Sequence, residues 1–310
     1  MRFFLNLRTK TPNLNFLDVV CDVVLCGRHG FCYLSFYSQT PKPSIYCSKM
    51  RFVSRVFVVT AAFFGSCCTT KSSTFALATS ARSDTTTSIT IKYFDARGAA
   101  EGSRLLLAIA GEDYNDERFT ITPGSFDSPG FKAAKEDGSL SMNMNRAPVM
   151  VVDGHTIGQS KAMERYLANR FGLMGSNPIE AALVDCISEH CRDVKDAQMA
   201  KRFSMFVKDK TDEEKAIAQK EWFETDMPAM LAKLETSVKQ CGGTNDCAVG
   251  NSVSYADVAI YLLLKECFPA YQVATLAAAE DCPTLLACCE TVANHPGVKD
   301  WIEKRPKTNF

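Results

Sequence analysis

From residue 89 onward the chain switches between two hydrophobic periods. Residues 90–94 read as a strand, closed by the polar turn from Asp95 to Gly98. Residues 98–110 then place Leu105, Leu106 and Ile109 at helical spacing, and Gly111 suits the left-handed position just past a helix. Residues 116–121 alternate once more and predict a second strand, completing a βαβ start. Residues 122–146 are polar and carry Pro123, Gly124, Pro129, Gly130 and Gly138, with a short helix expected at 131–136. A connection this long inside a compact domain is usually functional. Pro148 to Val152 predicts a strand, Asp153-Gly154 a tight hairpin and residues 155–158 its return. Ser160 then opens a helix over 161–171, where it is read as the N-cap. The order βαβ, connecting segment, ββα is thioredoxin-like.

The pattern is helical from Pro178 to the end. Residues 179–194 and 213–240 carry apolar positions three and four apart. Ser254 and Asp257 have capping-box spacing ahead of the apolar run 258–264, a structural signal rather than a catalytic one. Ala259 and Leu263 on that helix are read as core, with the wall of a ligand pocket as the alternative. The expected fold class is therefore α/β plus all-α: a thioredoxin-like domain at 89–170, then an all-helical domain at 178–310.

Residues 1–88 read differently. They are rich in Ser, Thr, Phe and Cys, and their only acids are Asp18, Asp22 and Asp84. Met50 to Arg55 looks like a basic n-region and residues 56–68 like the apolar core of a signal peptide, too short for a comfortable membrane span. Ala76-Leu77-Ala78 offers a small-residue cleavage site, and the hydroxyl-rich 79–88 with Arg82 resembles a transit peptide. The whole is similar to the two-part plastid presequence of algae with secondary plastids. A plain secretory signal, or an extension ahead of a cytosolic protein, are the alternatives. Met50 is a second candidate for the true start.

Composition narrows the function classes. Lys plus Arg and Asp plus Glu both number 35, so no charge excess recruits nucleic acid or an anionic membrane. At 46% hydrophobic residues the chain can bury an ordinary core. Of 14 cysteines, none lies between Cys68 and Cys186 and no two are spaced Cys-x-x-Cys, which disfavours a zinc ribbon or a dithiol redox centre. Cys241 and Cys247 flank a five-residue loop and could close a short disulfide, which a reducing compartment would keep open. The four histidines lack ligand spacing, and no metal is predicted.

The candidate chemistry centres on Ile89-Thr-Ile-Lys-Tyr-Phe-Asp-Ala-Arg-Gly-Ala-Ala-Glu101. It puts the Tyr93 phenol at a strand end and a helix mouth, where open α/β sheets bind ligands. By spacing alone Tyr93 reads as a strand-end tyrosine packed in the core rather than as a site residue. The segment resembles the opening of the cytosolic glutathione S-transferases, closest to their sigma (prostaglandin D synthase-like) class. The resemblance runs from about Ile89 to Phe310 and includes the ending His295-Pro-Gly-Val-Lys-Asp-Trp-Ile-Glu-Lys-Arg-Pro306.

That resemblance implies a transferase joining glutathione, as co-substrate, to small electrophiles, with isomerase or peroxidase chemistry on the same thiolate as a second reading. A non-catalytic ligand-binding homologue is a third. It implies that Tyr93 donates its proton to the glutathione sulfur. A free thiol has a pKa of about 8.5, and lowering it by two units needs about 2.7 kcal/mol. One charge-assisted hydrogen bond supplies roughly 1.5–3 kcal/mol, so one phenol nearly suffices. Arg97 would add a guanidinium beside the sulfur; otherwise it is a solvated turn residue. Pro148 falls where thioredoxin-like folds place a cis bond, which would present Val149 for backbone pairing with the tripeptide. Gln159-Ser160 at a helix start would hold the γ-glutamyl carboxylate. Arg146 and, from the long loop, Lys132 are candidates for the glycyl carboxylate, and Phe126 for an aromatic wall. Asp193 matches an aspartate that reaches glutathione in a partner subunit, which implies a homodimer. Glu189 falls where some relatives hold a cation, but Arg192 lies in the same cluster.

Overall fold

The computed structural model describes residues 88–125, 127–204 and 206–308 in full, and the backbone of three strands in residues 2–38. Those strands are β1 (Arg2–Thr11), β2 (Leu14–Val24) and β3 (Tyr33–Ser38). They pair antiparallel in the order β1-β2-β3, within a compact unit spanning Met1–Thr79. Their Phe, Leu and Val content suits strands; the sequence reading placed no element here. The signal-like run and the cleavage site at 56–78 lie outside the described residues.

The second unit, Ser80–Phe310, opens with β4 (Ile89–Phe94). Ile89 and Ile91 point to one face and are fully buried, and Tyr93 continues that face at the strand's end. A short 3-10 turn (Gly98–Ala100) leads into α1 (Glu101–Ala110), which buries Leu105, Leu106 and Leu107 and stops at Gly111 with φ 65°. β5 (Asn115–Phe119) runs parallel to β4 and is shorter than the alternation to Ile121 suggested. After α2 (Pro129–Glu136) come β6 (Val149–Val152) and β7 (His155–Gly158). Asp153 and Gly154 both take positive φ in the turn between them, as Asp-Gly hairpins require. The sheet order is β5-β4-β6-β7. α3 (Ser160–Arg170) packs with α1 on one face. On the other face Phe131 of α2 sits 4.8 Å from Phe94 and 5.8 Å from Phe119, ring centre to centre.

The helical part begins with α4 (Pro178–Lys201), capped by Asn177, whose side chain accepts from the amides of Ile179 and Glu180. The run expected at 213–240 divides into α5 (Asp212–Glu221) and α6 (Met227–Cys241), joined by a π-turn over Trp222–Asp226. Pro228 explains the break: it offers no amide to an α-helical bond, and the widened turn absorbs the missing contact. α7 (Tyr255–Tyr261) is fully buried and starts at the expected capping box. It runs into a second π-turn over Leu262–Glu266, followed by α8 (Gln272–Ala278), α9 (Pro283–Asn294) and α10 (Pro296–Lys304). Among the described residues no helix is long and apolar enough to cross a membrane. Cys241 and Cys247 are free thiols, so the suggested disulfide is not made; their sulfurs donate to the carbonyls of Ser237 and Asn245 instead.

α10 closes the unit by lying on α1. A side chain at Gly297 would meet the Ala108 carbonyl oxygen at 1.9 Å, so the two helices approach as glycine alone permits. Glu101, 1% exposed, accepts from Trp301 Nε1 at 2.8 Å and from Arg305 at 2.6 Å. Arg305 also reaches Glu266 at 3.0 Å.

Candidate active site

A cleft lies where α1, α3, α4 and α7 meet. Gly98, Ala99 and Gly102 line it from one side, Ser160, Lys161 and Glu164 from a second, and Ala259, Leu262 and Leu263 from the helical part. Ala259 and Leu263 are thus both core residues and cleft wall.

Tyr93 borders this cleft through the residues it touches. Its oxygen accepts the Ala99 amide at 3.1 Å. The acceptor role uses a lone pair, so the phenol proton stays available for another partner. Gly98 is required here twice over: its φ is +41°, and a Cβ would stand 2.6 Å from the Tyr93 oxygen. The turn is held from below by Arg104, a residue the sequence reading passed over. It is wholly buried, and its guanidinium donates to the Ala96 carbonyl at 2.7 Å and to Asp116 at 3.1 Å.

Arg97, expected beside the glutathione sulfur, is engaged with a carboxylate. It does not line the cleft, and its guanidinium donates to Glu266 at 2.9 Å. The pair is nearly buried, with side chains 17% and 6% exposed. Glu266 is also held by Arg305, so Arg97 is a strut between the two parts of the unit.

The Ala147–Pro148 bond is cis, at the position the sequence indicated. Val149, however, is fully buried and lies in register with Lys92 on one side and Gly158 on the other. Both flanks of its backbone face strands, which corrects the expectation that it pairs a ligand. Ala147, half-buried and two residues before the ladder begins, is the edge position. Asn143 ties this edge to the next element and was not foreseen. It is 4% exposed, donates from Nδ2 to the Pro148 carbonyl at 2.8 Å and accepts the Gln159 amide at 3.2 Å.

Gln159, not Ser160, is the N-cap of α3; Ser160 is the first helical residue. Gln159 has φ +66°, strained for a residue with a Cβ, and makes no side-chain cap. Ala162 and Met163 donate to the Gln159 carbonyl, so the amides of Ser160 and Lys161 precede the first intrahelical bonds. That helix start faces the cleft through Ser160 and Lys161, opposite Gly98 and Ala99.

The remaining candidates are scattered. Arg146 is exposed on the Asn143 loop, and among the described residues no carboxylate pairs with it. Lys132 is 64% exposed and paired with Asp127 at 2.6 Å; nothing brings it to the cleft. Phe126 lies outside the described residues. Asp193 is 63% exposed on α4, on the face toward Met230 and Ser237 of α6, away from Cys191 and Lys195 that line the cleft. Glu189 is neutralised by Arg165 and Arg192, and no metal-holding group of His, Cys, Asp or Glu occurs among the described residues. Burial pushes the Cys191 thiol up to about 12 and raises that of Cys267. Neither cysteine is an activated nucleophile.

The unit is thus a thioredoxin-like domain packed on an all-helical one, with the start of α3 in the wall of the cleft where they meet. The glutathione S-transferase N-terminal domain matches residues 89–169 and the C-terminal domain residues 197–305. The chain is 32% identical to glutathione S-transferase 1 of Ascaris suum, over 71% of this chain and 98% of that one. It is 34% identical to the hematopoietic prostaglandin D synthase of Gallus gallus, over 70% of this chain and 96% of that one. Among solved structures, a Nu-class GST from Haemonchus contortus superposes with a TM-score of 0.58 at 29% identity, covering 72% of this chain and all of that one. The chain belongs to the glutathione S-transferase family, whose co-substrate is glutathione.

The Asn143 clamp carries a prediction. Asn143→Ala leaves the Gln159 amide and the Pro148 carbonyl without their partner, at about 1 kcal/mol each. The KM for glutathione should rise roughly 5- to 10-fold with a smaller change in kcat, read from initial rates at varied glutathione.

Proposed function

We propose that this protein conjugates glutathione to small electrophiles, with Tyr93 keeping the glutathione sulfur as thiolate. The observation that supports this is the phenol oxygen, which accepts the amide of the cleft-lining Ala99 and so leaves the phenol proton available to donate. The γ-glutamyl carboxylate meets the free amides at the start of α3 beside Gln159 and Ser160. The cysteinyl backbone pairs at Ala147, next to Pro148, and Arg146 takes the glycyl carboxylate. The electrophile lodges against Ala259 and Leu263. The thiolate attacks its carbon, an S–C bond forms, and the leaving group departs with the bonding electrons. Holding both reactants in one cleft adds an orientation gain.

The test is turnover of a chloronitrobenzene with glutathione, together with retention on an immobilised glutathione column. Retention without turnover would sink the catalytic reading; neither would sink it entirely. A second reading, isomerisation by the same thiolate, is favoured by the likeness to a prostaglandin D synthase, and a prostaglandin D formation assay separates the two. The proposal includes a homodimer, in which the exposed Asp193 reaches glutathione bound to the other copy; sedimentation of the purified protein tests it. Residues 1–88 are proposed as a targeting presequence, with the plastid as destination, and N-terminal sequencing of the mature protein decides that point.

A further inference from the structure

Charge is not evenly matched in the cleft. Its two carboxylates are already satisfied by the protein. Glu164, 2% exposed, accepts from Lys161 Nζ at 2.7 Å and from the Tyr255 hydroxyl at 2.6 Å. Glu266 holds Arg97 and Arg305. Of the cleft's cations, Lys161 is taken by Glu164 and Arg192 by Glu189 at 2.5 Å. Lys195 is different: it lines the cleft from α4, is half-buried, and among the described residues no carboxylate pairs with it. It stands one helical turn past Cys191, on the same face. Across from it are Ala259, Leu262, Leu263 and Pro269, an apolar wall presented by α7, the π-turn and the 3-10 turn (Pro269–Tyr271) after it. A cation left alone in a partly dry cleft is a binding group in search of an anion, and its pull grows as water is displaced.

We propose that the electrophile site selects substrates that carry a carboxylate on an apolar body, with Lys195 pairing the carboxylate and the apolar wall holding the body. This rests on the transferase reading above and adds the substrate class. Lys195 is a specificity residue; it takes no part in moving the sulfur's proton.

The experiment compares a chlorodinitrobenzoate with its methyl ester, both with glutathione, and a chlorine-free dinitrobenzoate as a non-reacting ligand measured by calorimetry. In either reaction the sulfur–carbon bond forms and chloride leaves. Wild type should prefer the acid by kcat/KM. Lys195→Gln should lower the acid-to-ester ratio about tenfold, as loss of one charge-assisted bond implies, and weaken the non-reacting acid by the same factor. Lys195→Glu should lower both further, and Lys299→Gln, exposed on α10, should leave the ratio as it was. An acid-to-ester ratio unmoved by Lys195→Gln overturns the proposal, as does a rise in the KM for glutathione with that ratio intact, which would assign the lysine to the tripeptide. If wild type turns over neither compound, the transferase reading fails; the calorimetric arm still decides this one, upheld by weaker binding in Lys195→Gln and overturned by equal or absent binding.

Discussion

Tyr93→Phe lowers kcat/KM for glutathione conjugation at neutral pH by about 10- to 100-fold. The variant loses one charge-assisted hydrogen bond to sulfur, worth roughly 1.5–3 kcal/mol, and each 1.36 kcal/mol is a factor of ten in rate. The pH profile distinguishes this from simple damage. A thiol whose pKa is depressed in the complex reacts at full rate once pH exceeds that depressed value. In the variant the rise should move up by about 1–2 pH units, toward the free thiol value of about 8.5. The two enzymes then converge in alkaline buffer. A loss of equal size at every pH would mean that the phenol positions glutathione without ionising it. The ultraviolet absorbance of bound thiolate gives an independent reading. Some stability goes as well, about 1 kcal/mol, because the Ala99 amide loses its acceptor.

Asp257→Ala has the largest expected effect on stability. The carboxylate is fully buried and accepts from the Ala248 amide at 2.6 Å, the Ser254 amide at 2.8 Å and the Ser254 hydroxyl at 2.7 Å. Truncation leaves those donors in the interior, each costing about 1–3 kcal/mol. A total of at least about 3 kcal/mol is expected, which is a large part of a typical net stability of about 5–15 kcal/mol. At roughly 2–4 °C per kcal/mol for a unit of this size, the midpoint of thermal unfolding should fall by about 6–12 °C. Asp257→Asn retains one acceptor oxygen and should fall less. A midpoint within about 2 °C of wild type would show that α7 needs no box.

The two domains of the fold were legible because their signals are local. Strand alternation at 90–94, the Asp153-Gly154 turn, the Ser254 box and the proline at 148 each act within a few residues, and each stands where the pattern put it. The end of β4 at Tyr93 and Phe94, ahead of the Gly98 turn, was legible for the same reason. What the sequence concealed depends on long-range partners. Arg104 looks like one polar residue on an amphipathic helix until Ala96 and Asp116 are folded against it. Arg97 invited a catalytic role until Glu266, 169 positions away, claimed it. Asn143 sits in a polar stretch with no periodicity to mark it, and only the closed loop shows that it joins Pro148 to Gln159. The π-turns escaped because their apolar spacing is nearly that of the α-helix. Pro228 was the available clue to the first.

The grip of α10 on α1 sets an order of events during synthesis. Glu101 and Arg305 are 204 positions apart. At about 5–20 residues per second, roughly 10–40 s pass between the ribosome adding one and adding the other. Through that interval Glu101 waits without the cation and the indole that later cover it, beside the turn that presents Tyr93. The nascent chain therefore carries the buried Glu101 long before α10 can cover it, and a ribosome stalled before residue 305 holds a polypeptide in which Glu101 still lacks Arg305.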